Sequence, residues 1–96
     1  MMEERKFLNN EELKRYELHV GDKLAVAEYI INNEGVVYMT HTETPVELEG
    51  QGVASELIEK SLLDIKAQGR NVFPLCPFVI AYIQRHPEWN SLIKKY

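Results

Sequence analysis

The chain has 96 residues, 45% hydrophobic and 27% charged, with 11 Lys and Arg against 15 Asp and Glu for a formal net charge of −4. That length supports one core, the composition is too apolar for disorder, and no apolar run approaches the ~18 residues of a membrane span. A pI near 5.3 argues against a general phosphate-backbone binder, yet leaves room for one anionic small molecule held by backbone N–H groups.

Residues 1–14 are polar, with Phe7, Leu8 and Leu13 as the apolar interruptions, and read as a loose leader to a single domain spanning 1–96. The opening Met1-Met2-Glu3-Glu4-Arg5-Lys6 has no apolar stretch behind it, which predicts no signal peptide and a cytoplasmic location. From Arg15 the pattern alternates. Tyr16, Leu18 and Val20 point one way and Glu17 and His19 the other, a half-buried strand. Gly21-Asp22 predicts a hairpin, Lys23 to Asn32 a second strand, Asn32-Asn33-Glu34-Gly35 a turn, and Val36 to Thr42 a third strand. Pro45 starts a linker through Glu49.

After Gly50-Gln51-Gly52 the period changes from two to near 3.6. Val53, Ala54, Leu57, Ile58, Leu62 and Ile65 make an apolar stripe, opposed by Glu56, Glu59, Lys60 and Lys66, with Gly69 at the helix C-terminus. Asn71 to Leu75 predicts a short strand with Pro74 near its end. Pro77 opens a second helix through about Arg85, His86-Pro87 stops it, and Glu88 to Lys95 predicts a short last helix. The expected class is α/β (α+β): an antiparallel meander of strands, then helix, strand and helix.

Gly50-Gln51-Gly52 immediately precedes the amphipathic helix. Two such glycines permit positive φ and close approach of a ligand, and the helix start offers unpaired N–H groups and the positive dipole end. This suits a phosphate, although neither the Walker lysine nor a complete GxGxxG pattern is present, and a plain turn into the helix fits equally.

Residues Thr40 to Ala54 resemble the acyl-coenzyme A loop of the GNAT acetyltransferase superfamily, of the form Gln/Arg-x-x-Gly-x-Gly/Ala, with Gly52 and Ala54 matching. His41-Thr42-Glu43, Gly50-Gln51-Gly52 and Cys76 through Tyr82 to His86-Pro87-Glu88-Trp89 resemble the compact single-domain YjdJ-type N-acetyltransferase branch. The resemblance implies a twisted mixed sheet that splays open before the loop and takes acetyl-CoA in the gap. Gly50, Gln51, Gly52, Val53, Ala54 and Ser55 would then bind pyrophosphate, with Val46 and Leu48 beside the pantetheine. Glu49 departs from the pattern, since it stands where Gln or Arg is expected and a carboxylate repels pyrophosphate.

Four residues are candidates for the chemistry. Cys76 falls at the N-cap of the second helix, where the dipole favours thiolate; it is either a nucleophile carrying acetyl or a small buried space-filler. Direct attack of the amine on acetyl-CoA is the other route. His41 and Glu43, two apart on a strand, share a face and could take a proton from an ammonium, or could be polar strand-end residues. Tyr82 lies where many superfamily members carry a tyrosine near the thioester sulfur, which would protonate the leaving thiolate; otherwise its ring is core. His19, His41 and His86 have no metal-ligand spacing, and the lone cysteine excludes a cysteine-based zinc site. Arg70, Arg85, Lys94 and Lys95 read as solvated charges. The resemblance thus implies an acetyltransferase acting on an unidentified amine; charge and the lack of a long apolar run predict no nucleic acid or membrane, and a monomer is expected. A non-catalytic CoA-binding or partner-binding module of the same fold is the alternative.

Overall fold

The computed structural model describes residues 4–96. In chain order these form β1 (Arg5–Asn10), β2 (Arg15–Val20), β3 (Lys23–Ile31), β4 (Val37–Glu43), a 3-10 turn (Val46–Leu48), α1 (Val53–Ala67), β5 (Val72–Pro74), α2 (Pro77–Arg85) and a second 3-10 segment (Pro87–Leu92). The sheet order is β1-β2-β3-β4-β5, antiparallel from β1 to β4 and parallel between β4 and β5. Parallel neighbours need a crossover connection, and α1 supplies it. The mixed α/β class expected from the change of period is the class observed.

The expected loose leader is corrected. Residues 1–3 of it lie outside the described residues, but Arg5–Asn10 is an edge strand paired with β2 from Arg5↔Val20 to Asn10↔Arg15. An edge strand over one core face needs little apolar sequence, and Phe7 suffices, stacking on Tyr16 with ring centroids 5.6 Å apart. Asn9 and Asn10, which weaken strand propensity, act as ties. The Tyr29 hydroxyl donates to Asn9 Oδ1 at 2.7 Å, and Leu13 N–H donates to Asn10 Oδ1 at 3.1 Å within the β1–β2 turn. The antiparallel meander therefore has four strands rather than three. The expected last helix is a 3-10 segment, and β5 is shorter than expected, with Pro74 at its end.

Alternation along the strands puts Tyr16, Leu18, Val20, Ala25, Ala27, Tyr29, Val37 and Met39 in the core. Against them pack Leu57, Ile58, Leu62 and Ile65 of α1 and Val79, Tyr82 and Ile83 of α2. The stripe read from period 3.6 is the buried face of α1 apart from Ala54, which is half-buried, and with Ser61 added; the Ser61 hydroxyl donates to the Leu57 carbonyl at 2.7 Å. Leu62 is fully buried, so Leu62→Ala is expected to cost about 2–5 kcal/mol by urea denaturation, through lost transfer energy and the cavity left behind. Among the described residues no helix is long and apolar enough to cross a membrane.

Candidate active site

The site begins with a bulge in β4. Tyr29 pairs with Met39 and Glu28 with His41, so Thr40 is an extra residue in β4 without an opposite number. One extra residue reverses which side chains face the core. Val37 and Met39 point inward before it, and Thr42, paired with buried Ala27, does so after it. Beyond Met39, β4 and β5 part. Their register ends at Met39↔Pro74, and the N–H groups of both Leu75 and Cys76 donate to the Met39 carbonyl before the chain turns into α2.

The resulting cleft, about 390 Å³, is lined by Thr42 and Thr44 of β4 and its extension, Leu48, the stretch from Glu49 into the first turn of α1, and Phe78 of α2. Gly50 and Gly52 take φ of 81° and 74°, in the left-handed region. No atom lies within 4 Å of where a Cβ would stand on either. Glu49 to Gly52 form tight turns, and among the described residues no well-aligned backbone acceptor outside the helix meets the N–H groups from Gly50 to Ser55. These N–H groups and the positive end of a 15-residue helix are the chemistry that an anion requires. Arg5 of β1 steadies the loop from behind: its guanidinium donates to Glu56 Oε1 at 2.7 Å and to the Gln51 carbonyl at 3.0 Å.

Cys76 caps α2 and is nearly buried, with Sγ 3.5 Å from Thr42 Oγ1. Burial pushes its thiol pKa up, but the Thr42 hydroxyl, the Val79 and Phe78 N–H groups at the start of α2 and the Thr42 N–H outweigh this and hold it below the ordinary value. Cys76 is not itself among the residues that line the cleft; it lies behind two that do, Thr42 and Phe78.

The other expected residues are distributed differently. Leu48, Gly50, Gly52, Val53, Ala54 and Ser55 line the cleft. Val46 does not; it is 73% exposed and borders a separate hollow. The Gln51 side chain is turned away and donates to the Glu47 carbonyl at 3.1 Å. His41 and Glu43 share a face as expected, but the bulge makes it the opposite face of the sheet from Thr42 and the cleft. Tyr82 is outside the cleft lining: it is 4% exposed, on the α2 stripe with Val79 and Ile83, and its ring packs 4.3 Å from that of His86. Burial, with Glu59 nearby, raises its pKa, although the Trp89 side chain opposes this. Thr42, Thr44, Phe78 and Arg5 were missed by sequence reasoning, because a bulge and contacts between distant segments leave no local pattern.

A family model described as GCN5-related N-acetyl-transferase matches residues 15–92 of the chain. No curated protein matches it.

Proposed function

Because the chain belongs to the GCN5-related N-acetyltransferase family, we propose that it moves an acetyl group from acetyl-CoA to a primary amine. The observation that carries this reading is the run of N–H groups from Gly50 to Ser55 at the start of α1, beside the split between β4 and β5. A pyrophosphate needs such donors at a helix N-terminus. An extended arm with amide groups needs a free strand edge, and β4 beyond Met39 supplies one. Both requirements fit. The blocks at His41-Thr42-Glu43, Gly50-Gln51-Gly52 and Cys76 to Trp89 point further to the compact single-domain YjdJ-type branch.

In this reading the N–H groups of Gly50, Gln51, Gly52, Val53, Ala54 and Ser55 hold the pyrophosphate, while Leu48 and Phe78 flank the arm. The Cys76 thiolate attacks the thioester carbon, the carbon–sulfur bond to CoA breaks, and CoA leaves as a thiolate that takes its proton from solvent. His41 and Glu43 face away from the thiol, so the incoming ammonium gives its proton to solvent. The amine nitrogen then bonds to the acetyl carbon as Cys76 Sγ departs, with the Thr42 hydroxyl donating to the sulfur. Tyr82 acts at one remove, packing α2 and hence Cys76 in position. The depressed thiol favours this two-step route over direct attack. An acetyl adduct on the Cys76 peptide after incubation with acetyl-CoA and no amine is the expected product.

Glu49 lines the cleft, and neither Lys nor Arg does. Removing its charge relieves a like-charge repulsion that solvent partly screens. Calorimetric titration is therefore expected to show acetyl-CoA binding about three- to tenfold tighter in Glu49→Gln than in the wild type. Absence of binding heat in both proteins at millimolar acetyl-CoA overturns the proposal.

A further inference from the structure

β1 flanks α1 and precedes residues 15–92, the stretch that matches the family. Alternation turns Arg5, Phe7 and Asn9 toward the helix side of the sheet and leaves Lys6 and Leu8 exposed on the other. Arg5 is the member of that inward row beside the glycine turn, and its planar guanidinium offers donors in a fixed fork. Nη1 donates to Glu56 Oε1 at 2.7 Å, and Nη2 donates to the Gln51 carbonyl at 3.0 Å. The second Glu56 oxygen lies 3.0 Å from Lys60 Nζ.

The carbonyl contact fixes more than one oxygen. The Gln51–Gly52 peptide is trans, so its C=O and its N–H are opposite ends of one plane and point in opposite directions. Gly52 lines the cleft, whereas Gln51 and Arg5 do not. With the carbonyl drawn toward Arg5, the Gly52 N–H is left on the cleft side. Gly50 and Gly52, at φ 81° and 74°, lower the cost of turning this plane over. Turned over, it would aim an oxygen at an anion instead of an N–H. Glu56 is the fourth residue of α1, where a free carboxylate would compete with an anion for the positive end of the helix. Arg5 and Lys60 hold both of its oxygens.

We propose that Arg5 is a positioning residue for the pyrophosphate of acetyl-CoA: it sets the polarity of the Gln51–Gly52 peptide and ties Glu56 away from the anion. The inference rests on the acetyl-transfer reading and adds to the donor site a strand that has no residue in the cleft lining.

The test compares Arg5→Met with Asn9→Ala in the full chain. Asn9 shares the inward row of β1 and accepts from the Tyr29 hydroxyl at 2.7 Å, at the end of the strand away from the glycine turn. Its replacement loosens the same strand without touching the turn. Before ligand is added, the NMR signals of the Gln51 carbonyl carbon and the Gly52 amide nitrogen are expected to shift in Arg5→Met and to stay in place in Asn9→Ala. By calorimetric titration, acetyl-CoA is expected to bind roughly tenfold more weakly to Arg5→Met. Asn9→Ala should melt lower than the wild type and keep its acetyl-CoA Kd within about twofold. Adding Glu56→Gln to Arg5→Met removes the released carboxylate, so about threefold of the loss should remain. Equal weakening in Asn9→Ala and Arg5→Met overturns the proposal in favour of strand docking alone. Full recovery in the double variant overturns the hold on the peptide. Wild-type affinity in Arg5→Met overturns the role of Arg5 and leaves the donor site standing. Absence of binding by the wild type overturns the acetyl-transfer reading, and this role of Arg5 with it.

Discussion

Replacing Cys76 by alanine is expected to lower the rate of acetyl transfer at least ~100-fold, because the two-step route loses the atom that carries the acetyl group. The side chain is small and nearly buried, so its loss from the core costs about 1 kcal/mol and lowers Tm by roughly 4–8 °C. A folded but inactive variant is therefore expected, and circular dichroism beside the rate assay separates the two effects. The thiol is held below its ordinary pKa, so the acid limb of the pH–rate profile should lie lower than that of a free cysteine. The Thr42 hydroxyl helps to hold it there. Removing that hydroxyl in Thr42→Val raises the thiol pKa and should move the limb to higher pH. Retention of more than a tenth of the wild-type rate in Cys76→Ala would mean that the amine attacks acetyl-CoA directly.

Acetyl-CoA is expected to raise the melting temperature strongly. At ~100 times its Kd a ligand bound only by the folded state adds about 2.7 kcal/mol. For a domain of this size each kcal/mol is worth roughly 4–8 °C, so the shift should be on the order of 10–20 °C. Gly52→Val should abolish it. At φ 74° a β-branched side chain is strained, and its Cβ would project into the open space the ligand needs. Strain alone does not produce that result, and Gly69→Ala separates the causes. Gly69 also has positive φ, at 72°, but lies after α1, away from the cleft lining. Its alanine variant should melt lower than the wild type and still gain the full shift from acetyl-CoA. Loss of the shift in both variants would implicate general loosening of the fold rather than the loop.

Much of this molecule is local in origin, which is why it was legible early. Period two from Tyr16 to Val20 and period 3.6 from Val53 to Ile65 each record one buried face. Such a record survives in sequence because every residue on that face meets the same core. Gly50 and Gly52 announce their loop through backbone freedom, and Pro77 after Cys76 announces the start of α2. The glycine turn into α1 and the capped cysteine could be named from these positions alone.

The partners of those features were decided elsewhere. β1 is polar enough to pass for a leader, and Phe7 becomes an inward residue only because Tyr16 is there to stack on it. Arg5 reaches the glycine loop across 46 residues of chain to the Gln51 carbonyl. The bulge at Thr40 is recorded in the pairing of β3 with β4, not in the composition of either strand. It turns His41 and Glu43 to one side of the sheet and Thr42 to the other, where Thr42 meets Cys76 across 34 residues. The sequence by itself determined the elements from β2 to α2, their buried faces and the glycine turn before α1, since these follow from neighbours along the chain. Tertiary structure alone decided which side chains share the cleft, because a register shift and contacts between distant segments depend on how strands pair rather than on which residues they contain.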